Sequence, residues 1–422
     1  MIFVGASKSE FKLHDFETIE CCRICQHAKV QLVLDLGEQP PANSLYKDGD
    51  KPPSFVPLRL GRCESCGTIQ LLETINPGQL FSKYVWLTQT AKTAVQYAEV
   101  FADRADLVLR KQGLSILEVG SNDGTFLKAL QRRGHKVLGV DPASNIGEVA
   151  RAAGVPTVSD FFSAELASKL IQESGKFDLV IARNVLPHVA DLHSVIDGIR
   201  EALSISGVAI FEFHRADLIM EELHYDSIYH EHLYLHSLQS IENIASRYGL
   251  KAFDLNESPI SGGSFVVYFA FDSRDESQSL IGARAHEEKI QVNSLKSWQN
   301  FSELSREHIA KFRSLVLASV DAKKKVVGFG ASARSSTLLN AARLSSKQIS
   351  VIADNNEWKQ GLFAPGSAIQ IVSPQEAFAL TPDVVVLLAW NFKSELLSQL
   401  KSIGFHGDVI LPLPGMPYVE TI

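Results

Sequence analysis

The stretch Ile116-Leu117-Glu118-Val119-Gly120-Ser121-Asn122-Asp123-Gly124 decides the fold class of this 422-residue chain. Its apolar start is typical of a buried strand, and a helix is expected to begin at about Thr125. Glycine at positions 120 and 124 lets the backbone approach a ligand closely where a side chain would collide. The next predicted strand ends at Asp141, whose carboxylate can accept hydrogen bonds from both hydroxyls of a ribose. The stretch therefore predicts a cofactor site at the carboxyl end of a parallel sheet.

Strand and helix patterns alternate around this stretch, which is typical of βαβ units and a sheet covered on both faces. The predicted strands are 115–120, 136–141, 177–182 and 207–213, with a closing pair at 251–256 and 264–271. The predicted helices are 92–112, 125–133, 192–203 and 237–248. The apolar face of the first helix is predicted to consist of Ala94, Tyr97, Phe101 and Leu107. A second open α/β block follows, with one long helix at 282–316 and strands at 325–330, 349–354 and 384–389.

The composition of the glycine loop separates two classes of cofactor. A dinucleotide loop reads G-x-G-x-x-G and places a pyrophosphate at a helix N-terminus. Here Asn122 and Asp123 stand in the loop, and an acidic side chain would repel a pyrophosphate but suit a cationic amino group. The loop favours S-adenosylmethionine, the alternative being a glycine turn in an α/β domain that binds nothing. The predicted donor contacts are Gly120, Asn122, Asp123, Gly124, Asp141, Pro142, Asp160, Phe161 and Asn184.

All five cysteines lie near the N-terminus, and four of them form two C-x-x-C pairs separated by 37 residues. Two such pairs suit a tetrahedral site of four thiolates, so Cys22, Cys25, Cys63 and Cys66 are predicted to bind one structural Zn²⁺. Cys21 is left out of this set. The alternative is a group of buried or redox-active thiols.

The string Tyr229-His230-Glu231-His232 predicts a proton-transfer site, because histidine is the usual general base near neutral pH and a carboxylate can orient its ring. A zinc protease helix is excluded, since it spaces its two histidines four residues apart. The alternative is a set of structural histidines with satisfied hydrogen bonds.

Bulk properties narrow the possible partners and location. A net charge of -7 argues against binding to duplex nucleic acid, and no apolar run approaches the 18 residues of a membrane span. The first residues lack the pattern of a signal peptide, so a cytoplasmic protein is expected. We expect a monomer or a weak homodimer.

The chain resembles the three-domain sugar C-methyltransferases that act on nucleotide-linked keto-deoxysugars. The resemblance spans nearly the whole chain. It is carried by the cysteine pairs, the Glu118–Gly124 stretch and the Tyr229–His232 string. The remaining motifs are Gln39-Pro40-Pro41-Ala42-Asn43, Gly262-Gly263-Ser264, Gly328-Phe329-Gly330-Ala331, Lys359-Gln360-Gly361, Pro365-Gly366 and Ala389-Trp390-Asn391-Phe392.

This resemblance implies methylation at C-3 of a 4-keto sugar on a nucleoside diphosphate of the dTDP or GDP type. It implies His232 as the base that forms the enolate, with Tyr229 and Glu231 as positioning groups. It further implies His188 as a hydrogen-bond partner of the enolate oxygen, Tyr84 as an active-site tyrosine and Asn43 as a substrate contact. The sequence departs from the family pattern at Trp86 (a tyrosine in the family), at Ser261 (commonly a histidine) and at Phe213-His214 (an acidic-proline-tyrosine run).

The C-terminal block carries a weak dinucleotide pattern at residues 328–334. We expect Arg334 and Lys359 to meet a diphosphate there, and Asn391 to contact the base or sugar, although a packing turn with a surface arginine is the alternative. The fold is predicted to be α/β. It comprises a small zinc-binding domain with an active-site connector (1–90) and two Rossmann-like doubly wound domains (91–272 and 273–422). The competing functions are an NAD(P)-dependent oxidoreductase and a non-catalytic zinc scaffold that binds the donor.

Overall fold

The computed structural model describes residues 16–82 and 86–422. In its first part, five strands and one short helix surround the cysteines. They are β1 (Phe16–Thr18), β2 (Val30–Gln39), β3 (Val56–Cys63), β4 (Ile69–Leu71), β5 (Glu73–Ile75) and α1 (Pro77–Phe81). The strands β2, β3 and β4 pair antiparallel, and β1 pairs with β5.

The middle part is built on a seven-stranded sheet with helices on both faces. Its first elements are α2 (Lys92–Leu109), β6 (Ser115–Val119), α3 (Thr125–Arg132), β7 (Lys136–Val140), α4 (Ser144–Ala152), β8 (Thr157–Val158), α5 (Ala164–Ser174) and β9 (Phe177–Arg183). These are followed by α6 (Leu192–Ala202), β10 (Leu203–His214), α7 (Ala216–Glu221), β11 (Tyr234–Leu235), α8 (Leu238–Ser246), β12 (Lys251–Ser258) and β13 (Ser264–Ala270).

The strand order of this sheet is β12-β13-β10-β9-β6-β7-β8. The strand β13 runs antiparallel to the other six strands. The order reverses between β6 and β9, which makes their carboxyl ends the switch point where ligands of such sheets bind. Alternate residues of β6 enter different cores, Ile116 with α2 and α3, and Leu117 with α5 and α6. The predicted apolar run is therefore buried on both faces. Leu107 was wrongly assigned to the apolar face of α2, since its side chain is 59% exposed.

The last part is a six-stranded sheet of order β16-β15-β14-β17-β18-β19. Its elements are α9 (Gln278–Ile290), α10 (Leu295–Asp321), β14 (Val326–Phe329), α11 (Ala333–Ala341), β15 (Val351–Ala353), β16 (Gln370–Val372), α12 (Pro374–Ala379), β17 (Val384–Leu387), α13 (Lys393–Ser402), β18 (Asp408–Leu411) and β19 (Tyr418–Thr421). The single long helix predicted over 282–316 is wrong, because Gln291 ends α9 in the left-handed conformation and the Ser294 side chain caps α10.

The three parts of the chain interlock. The short strand β11, from the middle part, pairs with β4 of the cysteine-bearing sheet, with Tyr234 opposite Gln70. Five short 3-10 helices complete the described elements, at Thr88–Thr90, Leu186–His188, Tyr225–Ser227, Ile260–Gly262 and Trp390–Phe392. Over residues 16–82 and 86–422, no helix combines the length and apolar character that a membrane crossing requires.

Candidate active site and zinc centre

In the turn after β6, the first position has no room for a residue larger than glycine. Gly120 has a φ of +67°, and a Cβ atom there would lie 2.2 Å from Cγ2 of Val185. Gly124 has a φ of +77°, and its Cβ would meet Val155 at 3.0 Å. The two glycines therefore let the backbone of the turn pack closely against Val185 and Val155 at the carboxyl edge of the sheet.

Asp141 follows β7 and is held by backbone amides. Its Oδ2 accepts a hydrogen bond from Asn122 N at 2.8 Å, and its Oδ1 accepts one from Ala143 N at 2.9 Å. Burial raises the pKa of this carboxyl. Pro142 is partly exposed beside it. An oriented carboxylate at this strand end fits the two ribose hydroxyls of a bound nucleoside.

Asn122 and Asp123 hold the connector at residues 86–90 against the glycine turn. The Asn122 side chain accepts from Thr88 N and Oγ1 (2.9 and 3.0 Å) and donates to Trp86 O (3.2 Å). The Asp123 carboxylate accepts from Gln89 N at 2.8 Å, and its other oxygen accepts from Thr125 N and Oγ1. These contacts give both side chains a role in docking the connector, which the sequence did not reveal.

The remaining predicted donor contacts lie along the same edge. Phe161 is 42% exposed after β8, and Asp160 next to it accepts a hydrogen bond from Phe161 N. Phe162, by contrast, belongs to the core. Asn184 follows β9 in the left-handed conformation and donates its backbone N–H to Glu212 O at 2.7 Å.

Beneath this edge lies a buried charge cluster that the sequence interpretation missed. Arg183 Nε donates to Glu212 Oε2 at 2.6 Å, and its Nη1 lies 3.8 Å from Glu118 Oε1. Burial raises the pKa of Glu118 to about 8. With Glu118 protonated at neutral pH, Glu212 balances the single charge of Arg183, so the cluster is a neutral, buried support for the ends of β6, β9 and β10.

The predicted histidines meet at the next strand end, with the His188 and His232 ring centroids 4.8 Å apart. His232 Nδ1 donates to Ser227 O at 2.7 Å, and His188 Nδ1 donates to Glu231 O at 2.7 Å. Because a carbonyl oxygen only accepts, both protons sit on Nδ1, and both Nε2 atoms carry a lone pair. Tyr229 OH donates to His232 Nε2 at 2.7 Å.

Burial keeps both imidazoles neutral. It lowers the pKa of His188 to about 4, and burial together with the neighbouring His188 lowers the pKa of His232 well below its usual value. A neutral His188 with its proton on Nδ1 accepts a hydrogen bond through Nε2. This tautomer does not suit the predicted role of donor to an enolate oxygen, so the arrangement supplies two Nε2 atoms that carry a lone pair and no proton.

The N-terminal part contributes one predicted residue to this site. Asn43, between β2 and β3, donates through Nδ2 to Glu231 Oε1 at 2.7 Å, and Glu231 is buried. Asn43 thus touches the Tyr229–His232 string directly. Tyr84 lies outside the described residues.

The predicted diphosphate contacts are turned toward the protein. Arg334 Nη2 pairs with Asp226 Oδ1 at 2.9 Å, and its Nη1 donates to Ser261 O at 2.9 Å. Lys359 Nζ donates to Ala331 O at 2.7 Å. Their buried charges already have partners, which argues against the diphosphate role expected for Arg334 and Lys359. Asn391 is partly exposed and lies beside Gly262, close to Arg334.

The four predicted cysteines converge, with all their sulfurs within 4.8 Å of one another. The pairs Cys22–Cys66 and Cys25–Cys63 have sulfurs 3.7 and 3.6 Å apart. Tetrahedral zinc with Zn–S bonds of about 2.3 Å requires sulfurs about 3.8 Å apart, so this set fits the ion. Gln70 Nε2 donates to Cys22 Sγ at 3.0 Å, as expected for a partner that stabilises a thiolate ligand.

Three family models match consecutive parts of the chain. They describe a putative zinc binding domain (22–81), a methyltransferase domain (93–255) and a C-methyltransferase C-terminal domain (259–414). The C-methyltransferase NovU of Streptomyces niveus is 31% identical over 405 residues, covering 94% of this chain and 96% of that protein. A ubiquinone biosynthesis O-methyltransferase of Chelativorans sp. is 34% identical over 98 residues, covering 23% of this chain and 39% of that protein.

Two solved structures each match less than half of this chain. Magnesium protoporphyrin IX methyltransferase from Synechocystis, with bound SAM, is 18% identical with a TM-score of 0.32, over 42% of this chain and 79% of that one. The PH0226 protein from Pyrococcus horikoshii is 18% identical with a TM-score of 0.36, over 46% of this chain and 97% of that one.

Proposed function

Because this chain belongs to the family of three-domain C-methyltransferases, we propose that it methylates C-3 of a nucleoside-diphosphate 4-keto-deoxysugar. The chain is a methyltransferase that depends on S-adenosylmethionine; the acceptor and the chemistry of proton removal are the proposed part. The observation that carries the proposal is the pair of neutral histidines beside the donor edge, with unprotonated Nε2 atoms and ring centroids 4.8 Å apart.

The donor edge suits a cationic nucleoside without phosphate. Asp141 would bind the ribose and Pro142 would line it, while Gly120, Gly124 and Asn184 let the backbone approach. Phe161 would cover the adenine, with Asp160 at its amino group. S-adenosylmethionine, when bound there, supplies an electrophilic methyl group. Asn122 and Asp123 would act by keeping the connector closed over this edge.

At the acceptor, a ketone at C-4 acidifies the proton on C-3. We propose that His232 removes this proton through Nε2, with Tyr229 OH moving from that nitrogen to the sugar as the substrate enters. General base catalysis of this kind is worth roughly 10²- to 10⁴-fold in rate. His188 would accept a hydrogen bond from a sugar hydroxyl through its own Nε2. Glu231, held by Asn43, would fix the backbone carbonyl that orients His188.

The two rival functions have less support. A nicotinamide dinucleotide in the C-terminal block needs a G-x-G-x-x-G loop after β14, and Ala333 stands there in place of the third glycine. A non-catalytic scaffold does not account for two buried, neutral imidazoles whose ring centroids lie 4.8 Å apart beside the donor edge.

Labelled methyl donor incubated with dTDP- and GDP-linked 4-keto sugars, followed by mass spectrometry, tests the proposal. The wild type should form a C-methylated product. It should also exchange the C-3 proton with solvent deuterium. His232→Ala should abolish both reactions yet bind S-adenosylmethionine normally, whereas His406→Ala, at an exposed histidine, should change neither. Unchanged transfer by His232→Ala would refute the base assignment, and failure of the wild type on every keto sugar would refute the acceptor class.

A further inference from the structure

The segment that carries Tyr229 and His232 is tied to the C-terminal part at successive points. His308, on α10, donates through Nε2 to Pro412 O, so its Nδ1 accepts the Tyr225 hydroxyl at 3.1 Å. Thr337, on α11, donates to Ile228 O at 3.1 Å. Asp226 lies between these points and is fully buried.

Both carboxylate oxygens of Asp226 are held by the C-terminal part. Oδ1 accepts from Arg334 Nη2 at 2.9 Å, and Oδ2 accepts from Trp390 Nε1 at 2.7 Å. The Arg334 guanidinium lies 4.6 Å from the centre of the Trp390 ring. Three side chains thus form one buried, charge-neutral unit. Removing one partner of such a pair leaves an uncompensated buried charge, which is strongly unfavourable.

The same guanidinium also holds a second loop. Arg334 Nη1 donates to Ser261 O at 2.9 Å, and Ser261 has a φ of +59°, a conformation that non-glycine residues rarely adopt. The Cβ position of Gly262 lies 3.2 Å from Arg334 Nη1 and 3.3 Å from Trp390. Arg334 therefore links the turn between β12 and β13 to the histidine-bearing segment.

We infer that Asp226, Arg334 and Trp390 form a positioning clamp, through which the C-terminal part sets the geometry of His232. The link is short: Ser227, next to the clamped Asp226, provides the carbonyl that accepts His232 Nδ1–H, and His232 Nε2 accepts the Tyr229 hydroxyl. The clamp residues act through His232 and are positioning residues. The inference rests on the proposed function for the catalytic role of His232, and it replaces the expected diphosphate role of Arg334.

Steady-state kinetics of Arg334→Met, Asp226→Asn and the double variant test the clamp. A displacement of about 1 Å at a catalytic group costs on the order of 100-fold in rate. The kcat of each single variant should therefore fall about 100-fold. The KM for the sugar nucleotide should stay within about threefold, because the clamp touches no diphosphate. The double variant should lose no more than either single one, since both remove the same unit.

Two further variants keep the comparison interpretable. Trp390→Phe removes one hydrogen bond to a charged oxygen but keeps an aromatic ring, and should lose about 10-fold in kcat. Arg313→Met removes a guanidinium whose bonds go to Ala342 O and Arg343 O at the other end of α11, and should leave kcat unchanged. A rise in KM with unchanged kcat for Arg334→Met alone would assign Arg334 to the diphosphate and overturn the clamp.

Hydrogen–deuterium exchange tests the clamp without any substrate. Arg334→Met should speed exchange in peptides covering 225–232 and 260–263, and leave the cysteine-bearing sheet at wild-type rates. Unchanged exchange at 225–232 would refute the clamp even if the sugar proposal holds. Faster exchange there, with a wild type that methylates no keto sugar, would support the clamp while the acceptor class fails.

Discussion

Gly120→Ala should strongly weaken binding of the methyl donor through two separable effects. A φ of +67° disfavours any residue with a Cβ by about 1–2 kcal/mol, which is roughly 10-fold in an equilibrium constant. The new Cβ would also lie 2.2 Å from Val185 Cγ2, well inside the 3.4–4 Å of ordinary contact. The turn must therefore shift by more than 1 Å. A shift of that size at a binding contact is worth about 100-fold.

The combined expectation is a donor affinity about 10³-fold weaker than wild type, measured by isothermal titration calorimetry. Two matched variants separate the causes. Val185→Ala in the Gly120→Ala background removes both Cγ atoms and leaves Cβ at 3.6 Å, so only the backbone penalty should remain. Gly113→Ala places a Cβ at a φ of +66° with no described atom within 4 Å, and should lower stability but not donor affinity.

Either of two results would refute this reasoning. Wild-type donor affinity in Gly120→Ala would mean that the turn after β6 is not the donor site. Failure of Val185→Ala to recover about 100-fold of affinity would mean that the steric overlap is not the cause of the loss.

Further outcomes are expected at the histidine pair, at the cysteine site and at Lys359. Because burial lowers the pKa of His188 to about 4, the rate of methyl transfer in short assays should stay flat as pH falls through 6.5, and a pH–rate profile with an apparent pKa near 6.5 would contradict this. The free energy of unfolding should also depend on pH through this ring. The contribution of His188 is fully present above pH 6.5 and is lost progressively below it, because the imidazole of the unfolded chain then takes up a proton that the buried ring does not. Cys63→Ser should reduce zinc content from about one ion per chain by elemental analysis, and Gln70→Leu should weaken zinc binding roughly 10-fold while keeping the ion. Lys359→Met should lower the unfolding temperature and leave the KM for the sugar nucleotide unchanged; a raised KM would restore its diphosphate role.

The fold was largely predictable because its signals are local. The strand at 115–120 is buried on both faces, since Ile116 and Leu117 pack against different helical layers. An apolar run of this kind is typical of a parallel strand. The break between α9 and α10 was predictable in principle, because Ser294 carries a helix-capping side chain in the sequence. The strands β16, β18 and β19 were missed, although the predicted strands β14, β15 and β17 are equally short.

The site was predictable where its residues are close in sequence and not where they are distant. The C-x-x-C spacing brings each cysteine pair together without help from the rest of the chain, and the sulfurs do converge. The Asp226–Arg334 pair spans 108 residues, and no local pattern announces it. Arg334 beside a glycine turn was interpreted by analogy with phosphate loops. Which partner a buried guanidinium finds depends on tertiary packing, and no local pattern in the sequence reveals it.

Two of the three departures from the family pattern lie near the clamp, whereas Trp86 lies in the connector beside Asn122. Ser261 provides a carbonyl to Arg334, and His214 stacks on His224, whose ring lies 4.6 Å from Trp390. Both substituted positions therefore adjoin the clamp, whereas the Tyr229–His232 string is intact. Substitutions at these two positions change the surroundings of the clamp and leave His232 Nε2, the proposed base, in place. We therefore expect this chain to differ from its relatives in which sugar it accepts rather than in how it forms the enolate.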